Sequence, residues 1–299
     1  MLCIVKDRRD TMFGNHIVGI YEKAFDTQID WKERLNRAAK LGFDFVEISI
    51  DETDERLQRL DWSKAEKKKL LDSMWDTGVN IRSMCLSGHR RFPFGSKNPE
   101  IRQKAYEIME KAINFAGELG IRVIQLAGYD VYYEKSNDDS VKYFKEGMHW
   151  AAEQAQRAQI MLAMEIMDTP FMNSISKHLE YEKEINSPWY RVYPDLGNLS
   201  AWRENNPVEE IEKGIASIVG VHVKDTLQPT ANFEGQFKCV PFGTGCVDFS
   251  ARFAQLEKLG YKGPYMIEMW YKKGTDDVTE ITKAAKWLDE QYERGIKNV

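Results

Sequence analysis

A chain of 299 residues with 42% hydrophobic and 12% aromatic content can bury one large core and requires no second domain. A formal charge of −5 excludes a general binder of nucleic-acid phosphates, so any anionic ligand needs a local cationic pocket. Cys3, Cys85, Cys239 and Cys246 lack Cys-x-x-Cys spacing and are too few for a disulfide framework, and no apolar run is long enough to span a bilayer.

Residues 1–15 have an irregular pattern and read as a loose arm at the start of a single domain spanning 1–299. Leu2 to Val5 are apolar but Lys6 to Asp10 are charged, so the start lacks a secretory segment and the expected location is cytoplasmic. Ile17–Ile20 begins the first strand, and Trp31–Leu41, with Trp31, Leu35, Ala38 and Ala39 on one face, is a period-3.6 helix closed at Gly42. Phe43–Ser49 is the next strand, with Glu47 near its tip. Asp51–Asp54 reads as a solvated loop, and Ser63 caps a helix to Asp76. A strand Asn80–Cys85, a helix Ile101–Leu119 and a strand Ile121–Leu126 follow, the last carrying Gln125 at its end. A helix covers 138–158. Ile160 to Asp168 is then an apolar run that ends abruptly in carboxylates, the mark of a strand buried on both faces that delivers Glu165 to its C-terminal tip.

The same design recurs three times. Val192-Tyr193-Pro194-Asp195, Ile218 to His222 and Tyr265-Met266-Ile267-Glu268 are short apolar runs closed by a residue that binds metal or moves protons. Helices fall at 174–186, 207–216, 249–259 and 279–294, with Pro207 at a helix position that tolerates its missing N–H. Eight strands alternating with eight helices close into a (β/α)8 TIM barrel better than they form an open doubly wound sheet, and no Gly-x-Gly-x-x-Gly turn follows the first strand. Catalytic residues of such barrels collect at the C-terminal strand ends, so Glu165, Asp195, His222 and Glu268 converge on one mouth.

Three carboxylates and one imidazole suit one divalent ion, Mn, Mg, Co or Zn, with positions left for water or substrate. The competing reading makes Glu165 and Glu268 structural ion-pair partners and His222 a satisfied core histidine. Two glutamates flanking a metal can take a proton from one face of a sugar and return one to the other, which is the recipe for epimerisation beside a ketone.

Five dispersed segments, Leu41 to Glu47, Asp51 to Leu57, Ser87 to Pro93, Gln125 to Tyr133 and His222 to Thr226, resemble the bacterial L-ribulose-5-phosphate (L-xylulose-5-phosphate) 3-epimerases of ascorbate catabolism, in the xylose-isomerase-like barrel superfamily. The resemblance runs from about residue 17 to the last helix. It implies interconversion of L-ribulose 5-phosphate and L-xylulose 5-phosphate through a cis-enediolate, and a homodimer. It also implies that Glu165, Asp195, His222 and Glu268 hold the metal, with Glu165 and Glu268 as the acid-base pair. The rivals are an aldose-ketose isomerase of a sugar phosphate, such as a hexulose-6-phosphate isomerase, and a non-catalytic sugar-phosphate binder.

Arg90, Arg91 and Lys224 lie just beyond strand tips and are the candidate cations for a ketopentose phosphate, Arg being suited to bidentate contact. His89 either touches substrate or packs its loop. Glu47 and Gln125 either orient sugar hydroxyls or tie neighbouring strands. Gly243-Thr244-Gly245 is either a mobile turn over the site or a simple turn ahead of a helix, and the loop Thr230 to Cys239 departs from the family pattern.

Overall fold

The apolar runs become β1 (Val18–Tyr21), β2 (Phe45–Ile50), β3 (Asn80–Leu86), β4 (Val123–Leu126), β5 (Met161–Glu165), β6 (Tyr190–Tyr193), β7 (Val221–Val223) and β8 (Tyr265–Ile267) in a computed structural model. It describes residues 12–297 and Val299. The strands form one parallel sheet in the order β6-β5-β4-β3-β2-β1-β8-β7. Its two edges meet through parallel bridges Val192–Ile218 and Asp195–His222, so the sheet closes on itself as the expected (β/α)8 barrel. The second bridge also sets two candidate metal ligands side by side.

The helices among the described residues are α1 (Trp31–Lys40), α2 (Asp54–Leu57), α3 (Lys64–Thr77), α4 (Pro99–Leu119), α5 (Asp138–Ala158), α6 (Ile175–Ile185), α7 (Leu196–Ala201), α8 (Pro207–Gly214), α9 (Phe249–Lys258) and α10 (Asp277–Ile296). Local chemistry sets their ends. Ser63 and Glu66 form a reciprocal capping box on α3, and Asn98 caps α4 ahead of Pro99 in the first turn. Gly42 closes its helix as predicted, and Gly120 and Gly260 end helices the same way, at φ of 89°, 74° and 75°.

Most of the core lies between the sheet and its helices. Inside the barrel a smaller cluster of Tyr21, Phe45, Cys85 and Met266 forms the apolar layer beneath the mouth. Phe45 fits there because residue 19 is glycine: a Cβ on Gly19 would stand 2.2 Å from the Phe45 ring.

Three expectations change. The acidic stretch ending at Asp54 is not all loop, because the Thr53 side chain caps α2, which starts at Asp54. Asp195 is not on its strand; it caps the six-residue α7, a helix too short to leave a periodicity. The first 11 residues of the expected arm lie outside the described residues, but 12–15 form a turn that buries Phe13 completely against Phe253, Tyr265 and Tyr292.

One buried ion pair braces the rim. Glu22, just after β1, is 1% exposed and accepts two bonds from Arg59 Nη1, at 2.8 and 2.9 Å, while also pairing with Arg56. The Arg59 guanidinium in turn lies over the rings of Trp31 and Trp62, 5.4 and 5.8 Å from their centroids. Removing the carboxylate leaves two guanidinium groups in a site with little water, so Glu22→Ala is expected to cost about 3–5 kcal/mol in chemical denaturation. A loss under about 1 kcal/mol would show that water replaces the carboxylate.

Candidate metal centre

Parallel strands buried on both faces are mostly apolar, and the functional side chains of such barrels gather at their C-terminal ends, where the barrel opens. Glu165 ends β5, Glu268 directly follows β8, His222 is central in β7, and Asp195 follows β6 as the cap of α7. His222 Nδ1 stands 3.4 Å from Glu165 Oε1, 3.5 Å from Glu268 Oε2 and 3.9 Å from Asp195 Oδ2. One ligand atom from each of the four lies within 4.8 Å of all the others. All four side chains are buried.

Asp195 Oδ2, His222 Nδ1 and Glu268 Oε2 are buried with no hydrogen-bond partner. Such orphans are costly, and three facing one point call for a cation. Two oxygens of these carboxylates are already committed elsewhere: Asp195 Oδ1 accepts the Asn198 N–H at 2.6 Å, and Glu165 Oε2 accepts from Gln125 Nε2. Each of the four residues still offers a ligand atom to a common point, and the set fits a divalent ion of the Mn, Mg, Co or Zn type.

Lys224 supplies part of the missing charge, its Nζ lying 3.1 Å from Asp195 Oδ2 and 3.5 Å from Glu268 Oε2. Burial, with the Glu268 and Glu165 charges beside it, pushes the Asp195 carboxyl up to about 7 although Lys224 pulls the other way. For Glu268 burial also opposes the charged form, but Lys224 and His222 outweigh it and hold the carboxyl below the usual range. His222 is raised despite its burial, because Glu47, Glu165 and Glu268 surround it.

A cavity of about 240 Å³ opens above these residues, lined among others by Tyr21, Cys85, Arg90, Asp168, Lys238 and Trp270. Of the other predicted site residues, Arg90 and Lys224 line it. The Arg90 guanidinium lies over Tyr132 and Tyr129, 4.7 and 5.5 Å from the ring centroids. Gln125 is buried beneath the cavity as the partner of Glu165. Arg91 and His89 do not join. Arg91 turns outward to Asp54 at 2.7 Å. His89 stacks on Phe94 and bonds the Ala105 carbonyl through Nε2 at 3.1 Å, and burial pushes its imidazole down to about 4. His89 therefore takes the loop-packing alternative.

Sequence reasoning missed Asp168, Asn198 and Lys238, which also line the cavity. Asp168 and Asn198 each lie three residues beyond a chosen ligand, a signal that was available. Lys238 comes from the loop after β7, which folds back through the bridges Leu227–Gln236 and Thr230–Phe233. The Gly243-Thr244-Gly245 turn is anchored, because the N–H groups of Gly243 and Gly245 both donate to Asp225 Oδ2 at 2.9 Å.

The UlaE protein of Shigella boydii, named L-ribulose-5-phosphate 3-epimerase, is 54% identical over 271 residues, covering 91% of this chain and 93% of its own. The SgbU protein of Haemophilus influenzae is 54% identical over 279 residues, 93% of this chain and 97% of its own. A solved L-ribulose 3-epimerase superposes with a TM-score of 0.73 at 19% identity, over 95% of this chain and 96% of that one, a likeness of fold. A family model described as xylose isomerase-like TIM barrel matches residues 35–291. With the closed barrel and this match over most of its length, the chain belongs to the xylose isomerase-like TIM barrel family.

Proposed function

We propose that the protein is a metal-dependent 3-epimerase that interconverts L-ribulose 5-phosphate and L-xylulose 5-phosphate. The observation that carries the reading is the pair Glu165 and Glu268, whose free oxygens flank His222 Nδ1 at 3.4 and 3.5 Å at the floor of a cavity lined by cations. The identity shared with UlaE over nearly the whole chain supports this choice of substrate.

Glu165, Asp195, His222 and Glu268 are the residues that would hold the ion. A divalent ion bound there supplies Lewis-acid polarisation of the ketone and its neighbouring hydroxyl, which acidifies the C3 hydrogen. Glu165 and Glu268 reach the sugar from different strands, β5 and the end of β8. One removes the C3 proton and the other returns a proton to the opposite face, the order depending on the epimer bound. Gln125 holds one Glu165 oxygen, so the other faces the substrate. Arg90 and Lys224 are the cations assigned to the phosphate and the sugar oxygens. We place the reaction in L-ascorbate and pentose catabolism and the enzyme as a homodimer on the strength of the resemblance, and in the cytoplasm because residues 2–10 read as no secretory segment.

Incubation with manganese chloride and L-ribulose 5-phosphate in deuterated water is expected to place deuterium at C3 and to generate L-xylulose 5-phosphate. Label at C1 would instead identify an aldose-ketose isomerase. Tight binding with no label at either carbon would identify a sugar-phosphate binder.

A further inference from the structure

Glu47 makes a contact that the proposed chemistry does not use. It lies on β2, is fully buried and is not among the residues lining the cavity, so it cannot orient a sugar hydroxyl. The register of β2 against β3 shifts between Val46 and Glu47, an irregularity of the kind that re-aims a side chain. Glu47 Oε1 is 3.1 Å from His222 Nε2, on a strand that is not its neighbour in the sheet. Its other oxygen accepts the Ser83 hydroxyl at 2.6 Å from β3.

An imidazole binds a cation through an unprotonated nitrogen, so with Nδ1 as the ligand the proton sits on Nε2, where the Glu47 oxygen accepts it. Nδ1 is the atom turned toward Glu165, Asp195 and Glu268. The Tyr193 ring packs edge-on at 4.7 Å and limits rotation of the imidazole. A glutamine could turn either its oxygen or its NH2 toward Nε2 and so would not fix the proton there. The carboxylate adds greater basicity at the far nitrogen of the imidazole, which matters only when that nitrogen binds a cation.

We infer that Glu47 is a positioning residue: it fixes the tautomer and orientation of His222 so that Nδ1 is presented to a divalent ion, with Ser83 holding Glu47 in place. The inference rests on the metal-centre reading above and adds to it a residue on the far side of the imidazole.

Chelator-stripped wild type and Glu47→Gln are titrated with manganese chloride, and free Mn²⁺ is read by EPR. The variant is expected to bind about 10–100-fold more weakly with an unchanged far-UV CD spectrum. Binding within threefold of wild type overturns the inference and leaves the metal centre standing, whereas absence of binding by wild type overturns both. ¹⁵N spectra of histidine-labelled wild type loaded with zinc give a second readout that needs no variant. A protonated Nε2 with the metal shift at Nδ1 is expected, and metal on Nε2 rules the inference out.

Discussion

Glu165→Gln and Glu268→Gln are each expected to lower kcat/KM for epimerisation by about 10⁴-fold or more, while the protein stays folded. A positioned carboxylate contributes on the order of 10²–10⁴ through proton transfer, and each substitution also replaces a charged metal ligand by a neutral one. Four decades correspond to about 5.5 kcal/mol of transition-state stabilisation. The amide is nearly isosteric, so packing is preserved and the loss reads out chemistry. A second measurement separates proton transfer from ion holding. Each variant keeps one of the two acids, so in deuterated water each should still exchange the C3 hydrogen of one epimer without inverting it, and the two variants should select opposite epimers. Loss of exchange from both epimers in both variants would assign the glutamates to holding the ion alone. Full epimerisation in either variant removes that residue from the pair.

The barrel and its four candidate ligands are legible in the chain because one physical rule picks them out. A parallel strand buried on both faces is mostly apolar, so an acid or imidazole that closes an apolar run is a candidate for the mouth, as at Glu165, His222 and Glu268. Asp195 is found by the same rule although it stands beyond its strand, since the cap of α7 keeps it at the rim. Asp195-Leu196-Gly197-Asn198 carries the capping signal for α7, but six residues are too few to show a helical period. The metal-binding chemistry follows from residue types and order; the choice of a ketopentose phosphate came from the five segments that resemble the 3-epimerases.

Contacts between distant strands leave no such pattern. Glu47 and His222 are 175 residues apart, and nothing in either segment tells which side chain spans the barrel to reach the other. His89 and Arg91, two positions apart beyond the same strand, look alike as loop residues until packing sends one inward to the Ala105 carbonyl and the other outward to Asp54. Lys238 reaches the cavity only because its loop doubles back. Phe13 is a single aromatic in an irregular stretch, and single residues have no periodicity.

Removal of the metal by a chelator is expected to abolish turnover and to destabilise the fold. The two effects should part company in one variant. Glu165, Asp195 and Glu268 present oxygens within 4.8 Å of one another, and Lys224 is the cation at ion-pair distance from two of them. Like charges about 4 Å apart near a protein surface repel by roughly 4 kcal/mol, and a bound ion offsets the carboxylate repulsion that Lys224 and His222 offset in part. An ion at 100 times its dissociation constant should stabilise the native state by about 2.7 kcal/mol, and the melting temperature should climb with the logarithm of metal concentration. Asp195→Asn tests the origin of this effect, because asparagine caps a helix as well as aspartate and α7 is left intact. Lys224 retains Glu268 and the Asn198 side-chain Oδ1, the latter at 2.9 Å. The variant should therefore be at least as stable as wild type without metal, yet less stable than wild type in saturating metal, with the two melting curves exchanging order as manganese is added. An equal loss of stability in both conditions would make Asp195 a structural residue of the barrel rim, and a wild-type melting temperature indifferent to metal would remove the ion from this site.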